Sequence, residues 1–429
     1  MKKFLLTMLT VFCCFILANE SALSQSNSGK RWKVGGVPAI AYDADMGFRY
    51  GALANLYDHG PNMELFPRYR HSIYAEWSHT TNGNDIKQMK YDSEYLIPGI
   101  RVTAIARLET EQAMDFYGFN GYESNYNANY ADVAHDDYLT RMYYRMGYQS
   151  LRLRADFQGK IIDRKLRWYA GMAYYNLSIG SVDIDKINSR ADEDNQLPDE
   201  PSLYDKYVSE GVIPADQALG GSNALLKAGL VADTRDKEAN PNKGIWSEAF
   251  LIAAPGFIGN SSPYTALVLT HRQYFPIVKN KLTLAYRLNY QTTLGGQAPW
   301  YLLAFKPDTY IAWNGLGGNK TLRGILRNRV VGEGALLGNF ELRWRFVDFN
   351  FLDQDWYLAL SPFLDAGMIT KPYENQPNMT GDTDGVHMSY GMGLHIALNE
   401  NFIIAVDYGI AADERDGQKG MYIGLDFLF

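Results

Sequence analysis

Three charged side chains in the C-terminal half of the chain could form one ion-pair site. Glu341 and Asp365 each lie in a stretch where polar and apolar residues alternate. Arg323 lies in the connection that precedes the stretch of Glu341. A guanidinium group can bind two carboxylates at once because its five N–H donors form a rigid planar fork. A loop arginine is ordinarily a solvated surface charge, so the position of Arg323 needs a further argument.

No other arrangement of residues predicts catalysis or metal binding, and we expect no enzyme, no cofactor and no metal. Asp382-Thr383-Asp384-Gly385 begins like a calcium loop but lacks the downstream glutamate. A solvated loop explains the acidic stretch 191–194 better than an ion site does. The histidines are scattered and none has the His-Glu-x-x-His spacing of a zinc site. They are His59, His71, His79, His135, His271, His387 and His395, the last expected to be a hydrated wall residue.

The stretches that carry Glu341 and Asp365 have the period of a β-strand with one polar and one apolar face. In the first stretch the polar face consists of Asn339, Glu341, Arg343 and Arg345, and the apolar face of Phe340, Leu342, Trp344 and Phe346. Asp365 alternates in the same way with Leu364. If the apolar faces contact lipid, both carboxylates point into the lumen of a barrel, from neighbouring strands.

The same reading divides the whole chain into sixteen candidate strands. They span residues 38–43, 46–58, 68–80, 85–96, 100–110, 137–158, 165–180, 222–234, 244–255, 263–275, 281–294, 335–347, 356–366, 386–397, 401–411 and 419–429. After the fifth strand the connections alternate between long and short, as in outer-membrane barrels. The sequence therefore predicts an all-β fold, a 16-stranded antiparallel transmembrane β-barrel with both termini in the periplasm.

The beginning of the chain has the pattern of a secretory signal peptide. Lys2 and Lys3 precede an apolar run from Phe4 to Ala18 that contains both cysteines, and a cut after Ser24 is expected. We predict a signal peptide at 1–24, a short periplasmic segment at 25–34 and the barrel at 35–429. The mean hydropathy of −0.28 fits strands that alternate between lipid and lumen, although a soluble secreted β-protein is an alternative. The net charge of −7 argues against nucleic acid as a partner.

The two ends of the predicted barrel carry features of a seam. Phe427 and Phe429 share one face of the last predicted strand, and a terminal Phe there is typical of the signal by which outer-membrane barrels are recognised for insertion. Pro38 lies in the first predicted strand, which is short, and proline donates no ladder hydrogen bond. We expect few hydrogen bonds between the first and last strands.

Three segments resemble the barrel of the BamA/TamA superfamily, which inserts or translocates proteins at the outer membrane. They are Asp233-Thr234-Arg235-Asp236 at a periplasmic turn, Leu322-Arg323-Gly324-Ile325 after Gly317-Gly318 in the sixth extracellular loop, and Phe363-Leu364-Asp365-Ala366-Gly367. The resemblance implies that the loop is inserted in the lumen and that Arg323 binds Glu341 and Asp365. Leu322 and Ile325 depart from the family's valine and aromatic residue, so different packing of the loop tip is expected.

The resemblance implies a function in the insertion, folding or translocation of polypeptides at the outer membrane. The family carries periplasmic polypeptide-binding domains ahead of its barrel, whereas only Gln25–Lys33 precede the first predicted strand here. We therefore expect periplasmic or outer-membrane assembly partners, besides lipid and lipopolysaccharide. A passive pore for small solutes and a scaffold for a surface partner are the alternatives.

Overall fold

The computed structural model is a closed antiparallel barrel of sixteen strands, as the sequence predicts. It describes residues 31–61, 64–65, 69–163, 165–189, 191–238, 240–307, 312–313, 315–352, 354–398, 402–425 and 427–429. The predicted signal peptide lies outside the described residues. In the described part of the chain, no helix is long and apolar enough to cross a membrane.

The barrel strands follow one another around the ring in chain order. They are β1 (Trp32–Asp43), β2 (Gly47–Asp58), β3 (His71–Thr80), β4 (Asp85–Ile97), β5 (Ile100–Asp115), β6 (Arg145–Ile162), β7 (Leu166–Gly180), β8 (Gly220–Asp233), β9 (Gly244–Ala254), β10 (Tyr264–Val278), β11 (Leu282–Gly296), β14 (Gly334–Phe351), β15 (Gln354–Lys371), β16 (His387–Leu398), β17 (Phe402–Ala411) and β18 (Lys419–Leu425). Two short strands, β12 (Lys306–Pro307) and β13 (Ala312–Trp313), pair with each other in the connection between β11 and β14.

Period-two alternation sorts each strand's side chains between the outside and the lumen. In β6, Leu151 and Leu153 alternate with Arg152 and Arg154, and the arginines are buried while Leu153 is exposed. The buried charges are paired inside: Arg152 binds Glu109 of β5, and Lys227 of β8 binds Asp156 at 2.6 Å. The outside is therefore an apolar belt, and the lumen is lined by paired charges.

Aromatic side chains fill the end of the barrel that carries the long loops. Phe116 and Phe119 of the β5–β6 loop pack edge-on against Trp300 of the helix α3 (Trp300–Leu303). Tyr207 of the helix α2 (Leu203–Ser209) contacts the same two phenylalanines, and a capping box of Ser202 and Asp205 fixes the start of that helix. A shorter helix, α1 (Ile184–Asn188), lies in the same β7–β8 loop. This aromatic cap closes the long-loop end.

The barrel closes at a seam where β1 and β18 pair over only a short stretch. Tyr42 lies opposite Ile423 and Asp43 opposite Tyr422, and these are the only partners recorded between the two strands in the described part of the chain. On its other side, β1 pairs with β2 along its whole length, from Trp32 to Asp43. The edge of β1 from Val34 to Ala41 therefore has no described partner strand.

The structure corrects several of the predicted boundaries: β5 and β15, for example, extend to Asp115 and Lys371, beyond the predicted ends at 110 and 366. The first strand is not short: it begins at Trp32, because the β2 ladder continues through Gly35 and Gly36, whose lack of side chains hid the period from the sequence. The sixth strand begins at Arg145 rather than at 137, since the preceding residues pack in the aromatic cap. The last strand ends at Leu425 rather than at 429.

The predicted face of Phe427 and Phe429 is also wrong, because neither residue lies in a paired strand. Phe427 is buried inside the barrel with Tyr357, Ala359 and Ile403. Beyond Leu425 the chain no longer follows the ladder, so period two does not set where its side chains point. The segment 427–429, which we name the tail, lies in the lumen.

We predict that a disulfide forms across the seam only at its paired end. Cysteines at Tyr42 and Ile423, which are direct partners, should cross-link under mild oxidation. Cysteines at Pro38 and Phe427, which continue the same register, should stay reduced because the tail has left the wall. Non-reducing gel mobility of the purified barrel measures both. Equal cross-linking of the two pairs would show that the ladder runs the full length of β1.

Candidate functional site

The connection between β11 and β14 enters the lumen as a hairpin, which we name the lumenal loop (315–333). Leu316 and Val330 exchange two main-chain hydrogen bonds of 3.1 Å, and Gly318 donates to Ile325 at 2.9 Å. Thr321 Oγ1 donates to Gly315 O and accepts from Gly317 N, which fixes the turn. Leu322 and Ile325, the two departures from the family motif, are buried in one apolar cluster. Leu316 and Val330 of the loop complete this cluster, together with Ala335, Leu337 and Ile369 of the wall.

At the tip of this loop, Arg323 is fully buried and binds three carboxylates. Its Nε and Nη2 donate to the two oxygens of Asp365 at 2.9 and 3.0 Å, which is the bidentate geometry of strong guanidinium–carboxylate pairs. Its Nη1 donates to Glu341 at 2.8 Å and to Asp407 at 3.2 Å. The structure thus places Arg323 beside both of the carboxylates named from the sequence, and beside a third.

The strand register explains why these groups meet. Asp365 of β15 lies opposite Asn339 of β14, and Glu341 is the next inward-facing residue along β14. Asp407 comes from β17, beyond β16, and reaches the site because its partner in the ladder is Gly393, which has no side chain. Phe363 of β15 lies under the guanidinium, with Cζ 3.5 Å from the ring centroid. The wall therefore supplies a flat aromatic floor and three acceptors.

Burial makes this pairing obligatory. Arg323, Glu341 and Asp365 have no exposed side-chain area, so an unpaired member would keep its full desolvation penalty. Glu341 is shared, because its second oxygen accepts from Arg343 Nε at 2.9 Å. Removing Arg323 would leave three carboxylates facing one remaining guanidinium.

The loop backbone itself touches the wall at one point. Gly324 adopts φ +95, and a Cβ there would overlap the main chain of Gly409 and Ile410 in β17. A Cβ on Gly409 would in turn overlap the main chain of Arg323. Two glycines facing each other therefore allow main chain to lie on main chain.

Two further arginines hold the loop on other sides of the lumen. Arg327 donates from Nε to Asp115 at 2.9 Å and also binds Glu111, both on β5. In the ring of sixteen strands β5 lies eight places from β15, which means that the two walls face each other. Arg329 donates to the main-chain oxygens of Gly121 and Arg415, in the β5–β6 and β17–β18 connections. The lumenal loop spans the barrel from wall to wall.

The loop also contacts both strands of the seam. Asn319 Nδ2 donates to Asp43 Oδ2 of β1, and Gly324 N donates to Tyr422 Oη of β18 at 3.1 Å. Asp43 and Tyr422 are themselves partners across the seam. The paired end of the seam is thus the part that the lumenal loop binds.

The motif Asp233-Thr234-Arg235-Asp236 forms the turn between β8 and β9. Arg235 folds back on Asp233 through Nε and Nη2, at 2.9 and 2.7 Å, and stacks on Trp246. Thr234 Oγ1 accepts from Ile245 N. Asp236 Oδ1 accepts from the main chain of Asn242 and Lys243. These bonds stabilise a turn and leave no ligand position that we can identify.

Sequence reasoning missed Asp407 and misjudged His395. Asp407 had the inward phase in its strand, but only the tertiary arrangement shows that Gly393 opens a path across β16. His395 was expected to be hydrated, whereas it is buried between Ser361, Asp407 and the ring of Phe427. The expectation was wrong because the loop and the tail fill the lumen. Among the described residues, no cluster of His, Cys, Asp and Glu has a metal-site arrangement.

We predict that Gly409→Ala displaces the lumenal loop. The added methyl meets the main chain of Arg323, which cannot yield without breaking the ion pairs, and overpacking of this kind costs about 1–3 kcal/mol. Gly424→Ala is the matched control, because a Cβ at Gly424 meets nothing within 4 Å. Thermal unfolding and hydrogen exchange over 315–330 should change in the first variant and not in the second. Identical behaviour of the two would contradict the close approach.

We predict that Arg323→Ala releases the loop and destabilises the barrel by about 3–5 kcal/mol, since it leaves buried carboxylates without their partner. The stability of Arg323→Lys should lie between that of the unaltered barrel and that of Arg323→Ala, because one ammonium cannot reproduce the bidentate fork. Arg415→Ala, which removes a half-exposed arginine in a surface ion pair, should cost less than about 1 kcal/mol. Proteolysis of the loop and chemical denaturation measure the series. A Lys variant as stable as the original would rule out the fork as the cause.

Comparison with known proteins agrees with this geometry. The Omp85 superfamily domain model matches residues 78–428. The crystal structure of BamA from Haemophilus ducreyi lacking POTRA domains 1–3 superposes with a TM-score of 0.54 at 16% identity, covering 94% of this chain and 71% of that one. CdiB from Escherichia coli gives a TM-score of 0.55 at 8% identity, covering 93% and 63%. A search of curated protein sequences finds no match.

The barrels of this family are non-enzymatic outer-membrane proteins involved in the insertion or translocation of proteins. The family model covers most of the present chain. The chain is therefore an outer-membrane β-barrel of the Omp85 superfamily.

Proposed function

We propose that this barrel helps to insert, fold or translocate polypeptides at the outer membrane by pairing its free β1 edge with an incoming strand. The observation that carries the proposal is the edge from Val34 to Ala41, which has no described partner strand in a barrel of a family with that general activity. An unpaired strand edge presents a row of N–H and C=O groups, and a peptide can bind it by β-augmentation.

The side chains along this edge suit a visiting strand. Gly35, Ala39 and Ala41 alternate on the lumenal side and are small, which leaves room for the partner's side chains. Val34 is 73% exposed on the outer side. A strand that pairs here would set its own apolar face beside that of β1 and its polar face toward the lumen.

The lumenal loop gives the seam one fixed end and one open end. Asn319 and Gly324 bind the paired residues Asp43 and Tyr422, at the end of β1 near the long loops. No described residue of β18 pairs with the other end of β1. In this proposal the open end faces the periplasm, where both termini lie, so clients reach the edge from that side.

The same geometry argues against the passive pore. The lumenal loop crosses between opposite walls, and the aromatic cap closes the long-loop end. A steady open channel for small solutes would require both to move together. The surface scaffold has no specific observation in its favour.

We also propose that the barrel acts with partners. Periplasmic or outer-membrane assembly proteins would deliver polypeptides to it, while lipid and lipopolysaccharide surround it. Phe429 keeps its proposed role as a signal for the insertion of this barrel itself. That role applies before folding, because the folded protein holds the residue inside the lumen.

We predict that locking the seam abolishes activity without unfolding the barrel. The Tyr42→Cys and Ile423→Cys pair, oxidised in cells that lack the native protein, should fail to restore the outer-membrane protein profile and should regain activity after reduction. Each single-cysteine variant is the matched control. Planar-bilayer recordings of the unlocked barrel should show closed or flickering behaviour. Full complementation by the oxidised form, or large steady currents, would overturn the proposal.

A further inference from the structure

The inner wall formed by β10, β11 and β14 has an arginine-rich patch on these three adjacent strands. Arg272 of β10, Arg287 of β11 and Asn339 of β14 lie in one row of the ladder. Two further residues complete the patch. Tyr274 is the next inward-facing residue after Arg272 on β10, and Arg343 is the second inward-facing residue after Asn339 on β14. All of these side chains are buried. The patch lies four to six strands from β18 around the ring, so the tail must cross the lumen to reach it.

Phe429 occupies this patch. Arg343 Nη2 donates to the main-chain oxygen of Phe429 at 2.9 Å. The Cζ atoms of Arg343 and Arg287 lie 5.1 and 5.3 Å from its ring centroid, and the ring of Tyr274 lies 6.4 Å away. Both distances to arginine are within the range of cation–π attraction. The patch therefore binds an aromatic ring and an oxygen of the same residue.

Part of the patch is still unsatisfied with Phe429 in place. Arg343 Nη1 and Tyr274 Oη are buried and have no hydrogen-bond partner among the described residues. Leaving such donors unpaired costs free energy. Nη1 and Nη2 of one guanidinium form a fork that fits the two oxygens of a carboxylate. The chemistry that would complete the site is thus an aromatic residue with a carboxylate.

We infer that the patch of Arg287, Arg343 and Tyr274 is a receptor site for a polypeptide segment that carries an aromatic residue next to a carboxylate, and that the tail occupies it as an internal ligand. In naming a client polypeptide as the external ligand the inference rests on the proposed function. The binding itself does not depend on that function and can be measured alone.

Occupancy of this site and closure of the seam compete for the same residues. Continued in register from Tyr42 and Ile423, the β18 strand would set Phe427 opposite Pro38 and Phe429 opposite Gly36. In the structure Phe427 instead lies under Arg343, at 4.1 Å from Cζ to the ring centroid, and beside His395. A tail held by the patch leaves the β1 edge free. A ligand that displaces the tail allows the tail to pair with β1.

The test uses the full-length barrel in detergent and a fluorescent decapeptide with the sequence of residues 420–429, as free acid and as amide. Phe429→Ala weakens the hold of the chain's own tail, so this variant should bind the free acid at least tenfold more tightly than the unaltered barrel does. The amide should bind at least tenfold more weakly than the acid. Adding Arg343→Gln should abolish binding, whereas adding Arg152→Gln, which alters a buried lumenal arginine of β6 paired with Glu109, should not.

Equal binding of acid and amide, or binding that survives Arg343→Gln, would overturn the inference. So would complete competition by inorganic phosphate at millimolar concentration, which would show a general anion site. A second measurement avoids the altered tail: a photo-cross-linker at Tyr274 should label residues 427–429 in the otherwise unaltered barrel, and excess free-acid peptide should suppress the label. Absence of that label would contradict the site, whatever the outcome of the seam-locking experiment.

Discussion

The structure depends on the burial of one guanidinium group away from water. Arg323 has no exposed side-chain area, so its charge can be accommodated only where carboxylates converge, and three strands provide them. That requirement fixes the loop tip against β14, β15 and β17. It also explains the facing glycines, since the bonds to Asp365 bring the loop backbone within contact of Gly409. Charge pairing thus fixes the position of the loop tip, and the apolar cluster around Leu322 and Ile325 packs it against the wall.

Glu341 connects this ion-pair site to the tail. One of its oxygens accepts from Arg323 and the other from Arg343, and Arg343 in turn holds Phe429. The loop that binds the paired end of the seam and the tail that has left its open end therefore share one carboxylate. These contacts could couple the position of the loop to that of the tail. The variants of Arg323 and Arg343 described above measure the free energy of this coupling.

The sequence predicted what depends on strand period and failed where the chain leaves the ladder. Alternation alone predicted the strand count and the inward phase of Glu341 and Asp365. The position of Arg323 came from the family resemblance, because a loop has no period. Phe427 was assigned to the outer face by continuing the phase of Ile423 and Leu425, but its position is set by Arg343 and His395, which are distant in sequence. Gly35 and Gly36 hid half of β1 for the opposite reason: they lie in a regular ladder without side chains to show it.

The side chains of Arg323, Glu341 and Asp365 are inaccessible to solvent, and this bears on how the barrel can work. Where water is excluded, the lumenal loop cannot slide out gradually, because each intermediate position would leave buried carboxylates unpaired. Its release must therefore exchange one complete set of partners for another, which makes the loop a two-state element. The seam differs, since its open edge needs only main-chain hydrogen bonds, which an incoming strand supplies one residue at a time. A barrel with these two properties can begin to pair with a strand at its open end, whereas opening of its paired end requires the complete exchange of partners by the lumenal loop.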